Sequence, residues 1–147
     1  MLIWLGFEDN ASWTEVGITF AIIPFIVTCV VVYFQVLKKK AWSIGQLGTA
    51  LLVAIPFAIT NALTEELIFR LIPIEGLALA PVALALISAL AFGVPHYFGT
   101  PGKLVGIAMA TFLGYVAACS IIETQGIGWA WLIHFVQDVP IIAMLLI

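Results

Sequence analysis

The amino-acid sequence predicts an all-α protein: a polytopic transmembrane helical bundle of about five spans with no soluble domain. Two observations support this fold class. Hydrophobic residues make up 64% of the chain and charged residues only 9%, whereas soluble globular domains carry about 25% charged residues. The apolar residues also form continuous runs suited to helices that need ~20 residues to cross a bilayer. β-Barrels instead show alternating segments of ~10 residues.

The first two predicted spans are bounded by lysine and proline residues. The first covers about residues 16–37 and stops at a lysine cluster, residues 38–40, of the kind that stays on the cytoplasmic side. The second covers about residues 44–72 and contains Pro56. We expect it to end at Pro73, because proline cannot continue a helix without the loss of a hydrogen bond.

Three further spans follow. The third, about residues 81–97, begins with Pro81, a favourable first residue of a helix. A turn is expected at residues 99–102, Gly-Thr-Pro-Gly, because glycine and proline together favour turns. The fourth and fifth spans cover about residues 104–122 and 127–147, joined by residues 123–126. In the fourth, Gly106, Ala110 and Gly114 recur at a spacing of four, which predicts close helix packing.

Charge and cysteine content exclude several functional classes. The formal net charge is −3, and no broad basic face is present to neutralise phosphates, so nucleic acid is not an expected partner. The expected surroundings are a lipid bilayer. Cys29 and Cys119 lie far apart in apolar runs, where they predict free thiols that act as small hydrophobic residues.

Two adjacent acids in the second span are the strongest functional signal. Ionisable residues inside a membrane segment are costly, so Glu65, Glu66 and Arg70 indicate a functional site. Residues four apart share a helix face, so Glu66 can pair with Arg70. Glu65 points about 100° away from Glu66 around the helix. One carboxylate can thus be held by the arginine while the other, Glu65, is free to act as a general base.

The only two histidines of the chain lie in apolar segments that can face this acid pair. His96 ends the third span four residues after Phe92, and Pro95 is expected to bend the helix there. His134 and Asp138 are four apart and share a face of the last span, where a carboxylate can fix the tautomer of an imidazole. The rise per residue of a helix puts Glu65 roughly 12 Å and His96 roughly 22 Å from the loop that joins the second and third spans. This leaves a mismatch of ~10 Å that tilt or a proline bend must close.

Three motifs in order, Glu65-Glu66-x-x-x-Arg70, Phe92-x-x-x-His96 and His134-x-x-x-Asp138, resemble those of the CAAX-protease and bacteriocin-processing family, also called the Abi family. The resemblance implies an intramembrane endopeptidase related to CAAX prenyl endopeptidases, acting on a peptide or protein substrate at the membrane. With the resemblance we also expect the bacterial inner (plasma) membrane as the location. It implies two regions: residues 1–43, an N-terminal segment with the first helix and the lysine cluster, and residues 44–147, the catalytic helical core.

The resemblance also implies roles for all six residues. Glu65 and His96 would activate water, and Glu66 with Arg70 would form a supporting ion pair. Donors from the final motif would stabilise the oxyanion. CAAX-processing members place asparagine where this chain has Asp138, and an ionised aspartate only accepts hydrogen bonds. Either Asp138 is protonated, or it orients His134 and leaves that imidazole as the donor. The second reading is preferred because it needs no unusual protonation state.

The lysines raise a question about the side on which the site opens. Lys103 falls on the same side as the lysine cluster in a five-span arrangement, which makes that side cytoplasmic. Glu65 then lies nearer the outer face, whereas the CAAX-processing relatives act on cytosolic substrates. The sidedness of the site is therefore left open.

Three alternatives accompany the hypothesis of a metal-independent protease. No cofactor is expected; two histidines plus carboxylates suffice to bind zinc, but zinc is disfavoured because no His-Glu-x-x-His helix is present. A non-catalytic immunity or partner-binding protein that keeps the motifs for folding is a second alternative. A proton-coupled carrier is disfavoured because the five spans show no repeated half. The sequence does not specify the substrate or a pocket for a prenyl group.

Overall fold

The computed structural model describes residues 11–147; the first ten residues of the N-terminal segment predicted for residues 1–43 lie outside the described part. No β-strand occurs in the described part. Five of its helical segments are long and apolar enough to cross a membrane: Ser12–Lys39, Ile44–Gly76, Pro81–Phe98, Lys103–Thr124 and Gly128–Leu146. The prediction of an all-α bundle with five spans is therefore confirmed.

The five spans are built from six α-helices and three shorter helical turns. The α-helices are α1 (Ala11–Gln35), α2 (Ile44–Glu66), α3 (Ile72–Gly76), α4 (Pro81–Gly93), α5 (Lys103–Thr124) and α6 (Gly128–Leu146). A 3-10 turn follows α1 (Leu37–Lys39), a π-helical turn joins α2 to α3 (Leu67–Leu71), and a second 3-10 turn extends α4 (Val94–Phe98). Helix α6 packs against α1, α2 and α5, and α4 packs against α5.

The second span does not end at Pro73, and this prediction was wrong. The chain passes through the π-helical turn, in which the Ile72 N–H donates to the Leu67 carbonyl five residues earlier, and it stays helical to Gly76. Pro73 has no N–H to offer the Phe69 carbonyl four residues before it. The Ser88 hydroxyl of α4 donates to that carbonyl instead, at 2.6 Å, so the proline is accommodated without a break.

A stripe of alanines explains how α2 meets α6. Ala50, Ala54, Ala58 and Ala62 recur every four residues and are all buried. Ala50 and Ala54 pack against Ala143 of α6, because small side chains let two helix backbones approach closely. The same four-residue spacing continues to positions 66 and 70, so the stripe carries Glu66 and Arg70 into the bundle interior.

Close contact between α4 and α5 depends on glycine. As their spacing predicts, Gly106, Ala110 and Gly114 of α5 are buried. A Cβ atom at Gly114 would lie 3.2 Å from the Ala89 Cα of α4 and 3.0 Å from Arg70 Nη2. A Cβ atom at Gly93 of α4 would collide with Thr111, and it would lie 2.8 Å from the Thr111 Cα. The wall behind the buried arginine therefore has no room for larger residues.

The Gly93→Ala substitution should destabilise the bundle by about 1–3 kcal/mol, the usual cost of overpacking a tight contact. Because the clash includes the backbone Cα of Thr111, a side-chain rotation cannot relieve it. Thermal unfolding of the detergent-solubilised protein measures the effect. Gly48→Ala is the control, since nothing lies within 4 Å of a Cβ at that position, and its unfolding midpoint should stay level or rise. Equal midpoints for Gly93→Ala and the native chain would contradict this packing.

Candidate active site

The two adjacent acids of α2 occupy different environments. Glu66 lies on the alanine stripe and its side chain is fully buried, whereas the Glu65 side chain is 29% exposed. The cause is the rotation of about 100° between consecutive helical residues, which turns Glu65 from the packed face toward a groove. The acids are therefore not interchangeable: one is enclosed by protein, and the other can meet a ligand.

Arg70 is held against Glu66 and an aromatic ring. Its Nη1 atom lies 3.2 Å from Glu66 Oε1, the pair that the four-residue spacing predicts, although the two groups are not aligned for a hydrogen bond. The guanidinium carbon sits 3.7 Å from the centre of the Phe92 ring, close enough for a cation–π interaction. Arg70 is 1% exposed, so its charge depends on these contacts inside the bundle.

His134 lies among three carboxylates. Its Nδ1 atom is 2.7 Å from Glu66 Oε1, and its Nε2 atom is 3.3 Å from Glu65 Oε2 and 3.5 Å from Asp138 Oδ1. The shortest contact identifies Glu66 as the main group that orients the ring. Sequence reasoning gave this orienting role to Asp138, which is instead the most distant of the three carboxylates.

Asp138 has a partner that sequence reasoning missed. Its Oδ2 atom accepts a hydrogen bond from Asn61 Nδ2 at 3.0 Å, and Asp138 itself is 7% exposed. Asn61 stands four residues before Glu65 on α2. A polar amide one turn from an intramembrane acid is the signal that could have identified it, because such spacing places the two side chains on one face.

His96 is fixed by the backbone of its own span. Its Nδ1 atom lies 2.8 Å from the Phe92 carbonyl oxygen, and its ring centre lies 4.4 Å from that of Phe92. Because a carbonyl oxygen only accepts, Nδ1 carries the proton in this bond, and in the neutral ring Nε2 then holds the lone pair. The His96 side chain is thus oriented with an acceptor nitrogen available.

The structure removes much of the expected depth mismatch between Glu65 and His96. The second span ends at Gly76 rather than at Pro73, and three further residues of helix lengthen its path by ~4.5 Å. The chain is extended at Leu77 and Ala80, so α4 starts displaced from the end of α3. Glu65 and His96 consequently line the same cavity.

Two adjoining cavities meet at this cluster. The first, here called the groove, lies between α2 and α6 and is lined by Asn61, Glu65, His96 and Asp138 together with apolar residues of both helices. The second, the inner cavity, reaches toward α5. Its lining includes Glu66, Arg70, His134, His96 and Asp138. All six residues predicted from the sequence therefore line one or both cavities.

Helix α1 supports the cluster through a residue next to Asp138. The buried Thr28 hydroxyl of α1 donates to Gln137 Oε1 at 2.8 Å, and Gln137 Nε2 donates to the Ala21 carbonyl at 3.3 Å. These bonds set the rotation of α6 and hence the direction of His134 and Asp138. Within residues 11–147, no group of three or more His, Cys, Asp or Glu side chains is arranged to hold a metal ion, and Cys29 and Cys119 are free thiols.

The Arg70→Met substitution should lower the thermal stability of the detergent-solubilised protein strongly. It keeps an unbranched side chain of similar length but removes the guanidinium from the buried Glu66 carboxylate, which then has only the His134 ring beside it. Loss of one partner of a buried pair typically costs roughly 3–5 kcal/mol.

The double variant Glu66→Gln/Arg70→Met is the matched control for that experiment. It removes both charges and keeps an acceptor oxygen for His134, so it should recover part of the lost stability. An Arg70→Met protein that unfolds at the temperature of the native chain would show that the pair is not needed for the fold.

Comparison with known proteins agrees with the three motifs. The profile of the family described as Type II CAAX prenyl endopeptidase Rce1-like matches residues 46–140, more than half of the chain, and the matched range contains all six predicted site residues. Neither a curated protein nor a solved structure matches the chain. The match confirms the resemblance drawn from the motifs and supports an integral membrane endopeptidase of the CAAX-protease type. The chain belongs to the Rce1-like family of Type II CAAX prenyl endopeptidases.

Proposed function

We propose that the protein is an intramembrane endopeptidase that hydrolyses a peptide bond with a water molecule activated by Glu65 and His96, without a metal ion. The observation that carries this proposal is the division between the two acids. Glu66 is fully buried and engaged by Arg70 and His134, whereas Glu65 is partly exposed and lines the groove with His96. A carboxylate that can reach a water molecule, beside one that cannot, suits general-base catalysis.

Glu65 is the base in this mechanism. Its carboxylate accepts a proton from the water as the oxygen attacks the carbonyl carbon, and it returns that proton to the departing amine. His96 Nε2 accepts the second water hydrogen and orients the molecule, since Nδ1 is engaged by the Phe92 carbonyl. Proton transfer by a positioned side chain typically contributes 10²–10⁴-fold to the rate.

His134 stabilises the oxyanion that forms on the carbonyl oxygen. As an imidazolium it donates from both nitrogens: Nδ1 binds Glu66. Nε2 lies 3.3 Å from Glu65 Oε2 and 3.5 Å from Asp138 Oδ1, and in the proposed substrate complex it donates to the oxyanion instead. The three carboxylates within 3.5 Å of the ring balance its charge. Asp138 accepts a hydrogen bond from Asn61 and lies 3.5 Å from His134 Nε2, so it supports the position of this cluster.

The groove suits a peptide presented from within the bilayer. Its walls include Phe57 of α2 and Ile141, Ile142 and Leu145 of α6, while the polar groups gather near Glu65. Apolar walls around a few placed polar groups are typical of binding sites. We therefore propose a membrane-associated peptide or protein as the substrate, and the bacterial plasma membrane as the location of the reaction.

Glu65→Gln should abolish proteolysis while the protein still accumulates in membranes. Glutamine keeps the shape of the side chain but cannot take the proton from water, so the rate should fall by at least about 10²-fold. Comparative proteomics of membranes that contain the native or the variant chain measures this. Peptide termini created by the enzyme should be present with the native chain and missing with Glu65→Gln.

Glu75→Gln provides the matched control, because Glu75 is an exposed acid of α3 that lines neither cavity. Its peptide termini should equal those of the native chain. A Glu65→Gln protein that produces the same peptide termini as the native chain would contradict the protease assignment. It would favour a non-catalytic membrane protein that retains the motifs for folding.

A further inference from the structure

Among the described residues that line the groove, Asn61 has the one side-chain amide. Only one of its two N–H hydrogens is donated within the protein. Asn61 Nδ2 carries two hydrogens, of which one is donated to Asp138 Oδ2 at 3.0 Å. Asn61 is exposed on α2 and lines the groove with Glu65 and His96. The second N–H is therefore free to meet a molecule that enters the groove.

The other polar side chains of the groove that form hydrogen bonds within the protein have no donor hydrogen left for a ligand. The Thr60 hydroxyl donates to the Pro56 and Phe57 carbonyls, and the Thr64 hydroxyl donates to the Thr60 carbonyl. Asp138 acts as an acceptor, and His96 uses Nδ1 for the Phe92 carbonyl. In the proposed mechanism His134 offers a single N–H, whereas oxyanion sites commonly combine several aimed donors.

We propose that Asn61 is a further catalytic residue, which donates its second Nδ2 hydrogen to the oxyanion beside His134; the inference rests on the proposed protease function. Water attacks the peptide carbonyl carbon and gives a proton to Glu65, while the carbonyl π electrons move to oxygen. The resulting oxyanion accepts hydrogen bonds from Asn61 and His134. When the oxyanion re-forms the carbonyl, the C–N bond breaks and the amine leaves with the proton from Glu65.

Helix geometry supports this assignment. Asn61 and Glu65 are four residues apart, so their Cβ atoms are ≈5–6 Å apart on one face of α2. From one face of α2, the base can therefore serve the water that attacks the carbonyl carbon, while the donor reaches the oxygen of the same carbonyl. The bond from Asn61 to Asp138 fixes the amide plane, which gives Asp138 a second use: it aims the donor as well as contacting His134.

The Asn61→Leu substitution tests the proposal in the detergent-solubilised full chain, with a substrate peptide identified from the membrane comparison of native and Glu65→Gln proteins. Leucine has a similar size and is well tolerated in a transmembrane helix, but it cannot donate. We expect kcat to fall by about 10²–10³-fold, the usual cost of one lost oxyanion donor, with KM changed less than about threefold. Thr49→Val, three turns away on α2, is the control and should match the native chain.

A rescue variant separates a catalytic from a merely structural role. In Asn61→Leu/Asp138→Asn, the asparagine at position 138 brings an amide to the same part of the groove, so kcat should recover at least about tenfold over Asn61→Leu, a fraction of the 10²–10³-fold that one donor supplies. If Asn61 only held Asp138 in place, removal of Asp138 could not restore activity. Should Asn61→Leu fail to accumulate, Asn61→Ala removes the donor with a smaller side chain and must show the same loss.

The outcomes distinguish this inference from the function on which it rests. Native activity that Glu65→Gln abolishes and Asn61→Leu leaves intact would overturn the role of Asn61 alone. A double variant no more active than Asn61→Leu would also overturn it. If the native chain produces no terminus that Glu65→Gln lacks, the protease function fails and the Asn61 proposal fails with it.

Discussion

The site depends on one buried carboxylate that serves two partners. Glu66 Oε1 lies 3.2 Å from Arg70 Nη1 and 2.7 Å from His134 Nδ1, so a single oxygen balances the buried guanidinium and orients the imidazole. Taking such charges out of water is expensive, and because the Glu66–Arg70 pair is not aligned for a hydrogen bond, the Phe92 ring and His134 are needed beside it. Glu66 therefore pairs with Arg70 and His134 inside the bundle, and its neighbour Glu65 faces the groove.

Small residues at the helix contacts enclose this cluster. The alanine stripe brings α2 against α6 and carries Glu66 and Arg70 inward at the same four-residue spacing. Gly114 leaves room for the guanidinium between α4 and α5. The Ser88 hydroxyl donates to the Phe69 carbonyl, which Pro73 cannot bond. The helix therefore continues past Pro73 to Gly76. Small residues thus make the space in which a few charged groups can meet.

Sequence reasoning succeeded where the determining interactions are local. The five spans follow from hydrophobic length, and the contact of Glu66 with Arg70 follows from helix periodicity, which links residues only four apart. The failures involve partners distant in sequence. Pro73 did not end its helix because of Ser88, and the bond between Asn61 and Asp138 joins residues 77 positions apart. Spacing within one helix cannot show which side chain of another helix will face it.

The most direct test of the account asks whether water attacks the substrate without a covalent intermediate. The identified substrate is cleaved in the presence of hydroxylamine, and the new C-terminus is analysed by mass spectrometry, since an acyl-enzyme would be intercepted by this nucleophile. With Glu65 acting as a base, the terminus should be a carboxylic acid at every hydroxylamine concentration. A hydroxamate formed by the native chain while the rate of substrate loss stays unchanged would show that hydroxylamine intercepts an acyl-enzyme, and it would contradict the mechanism.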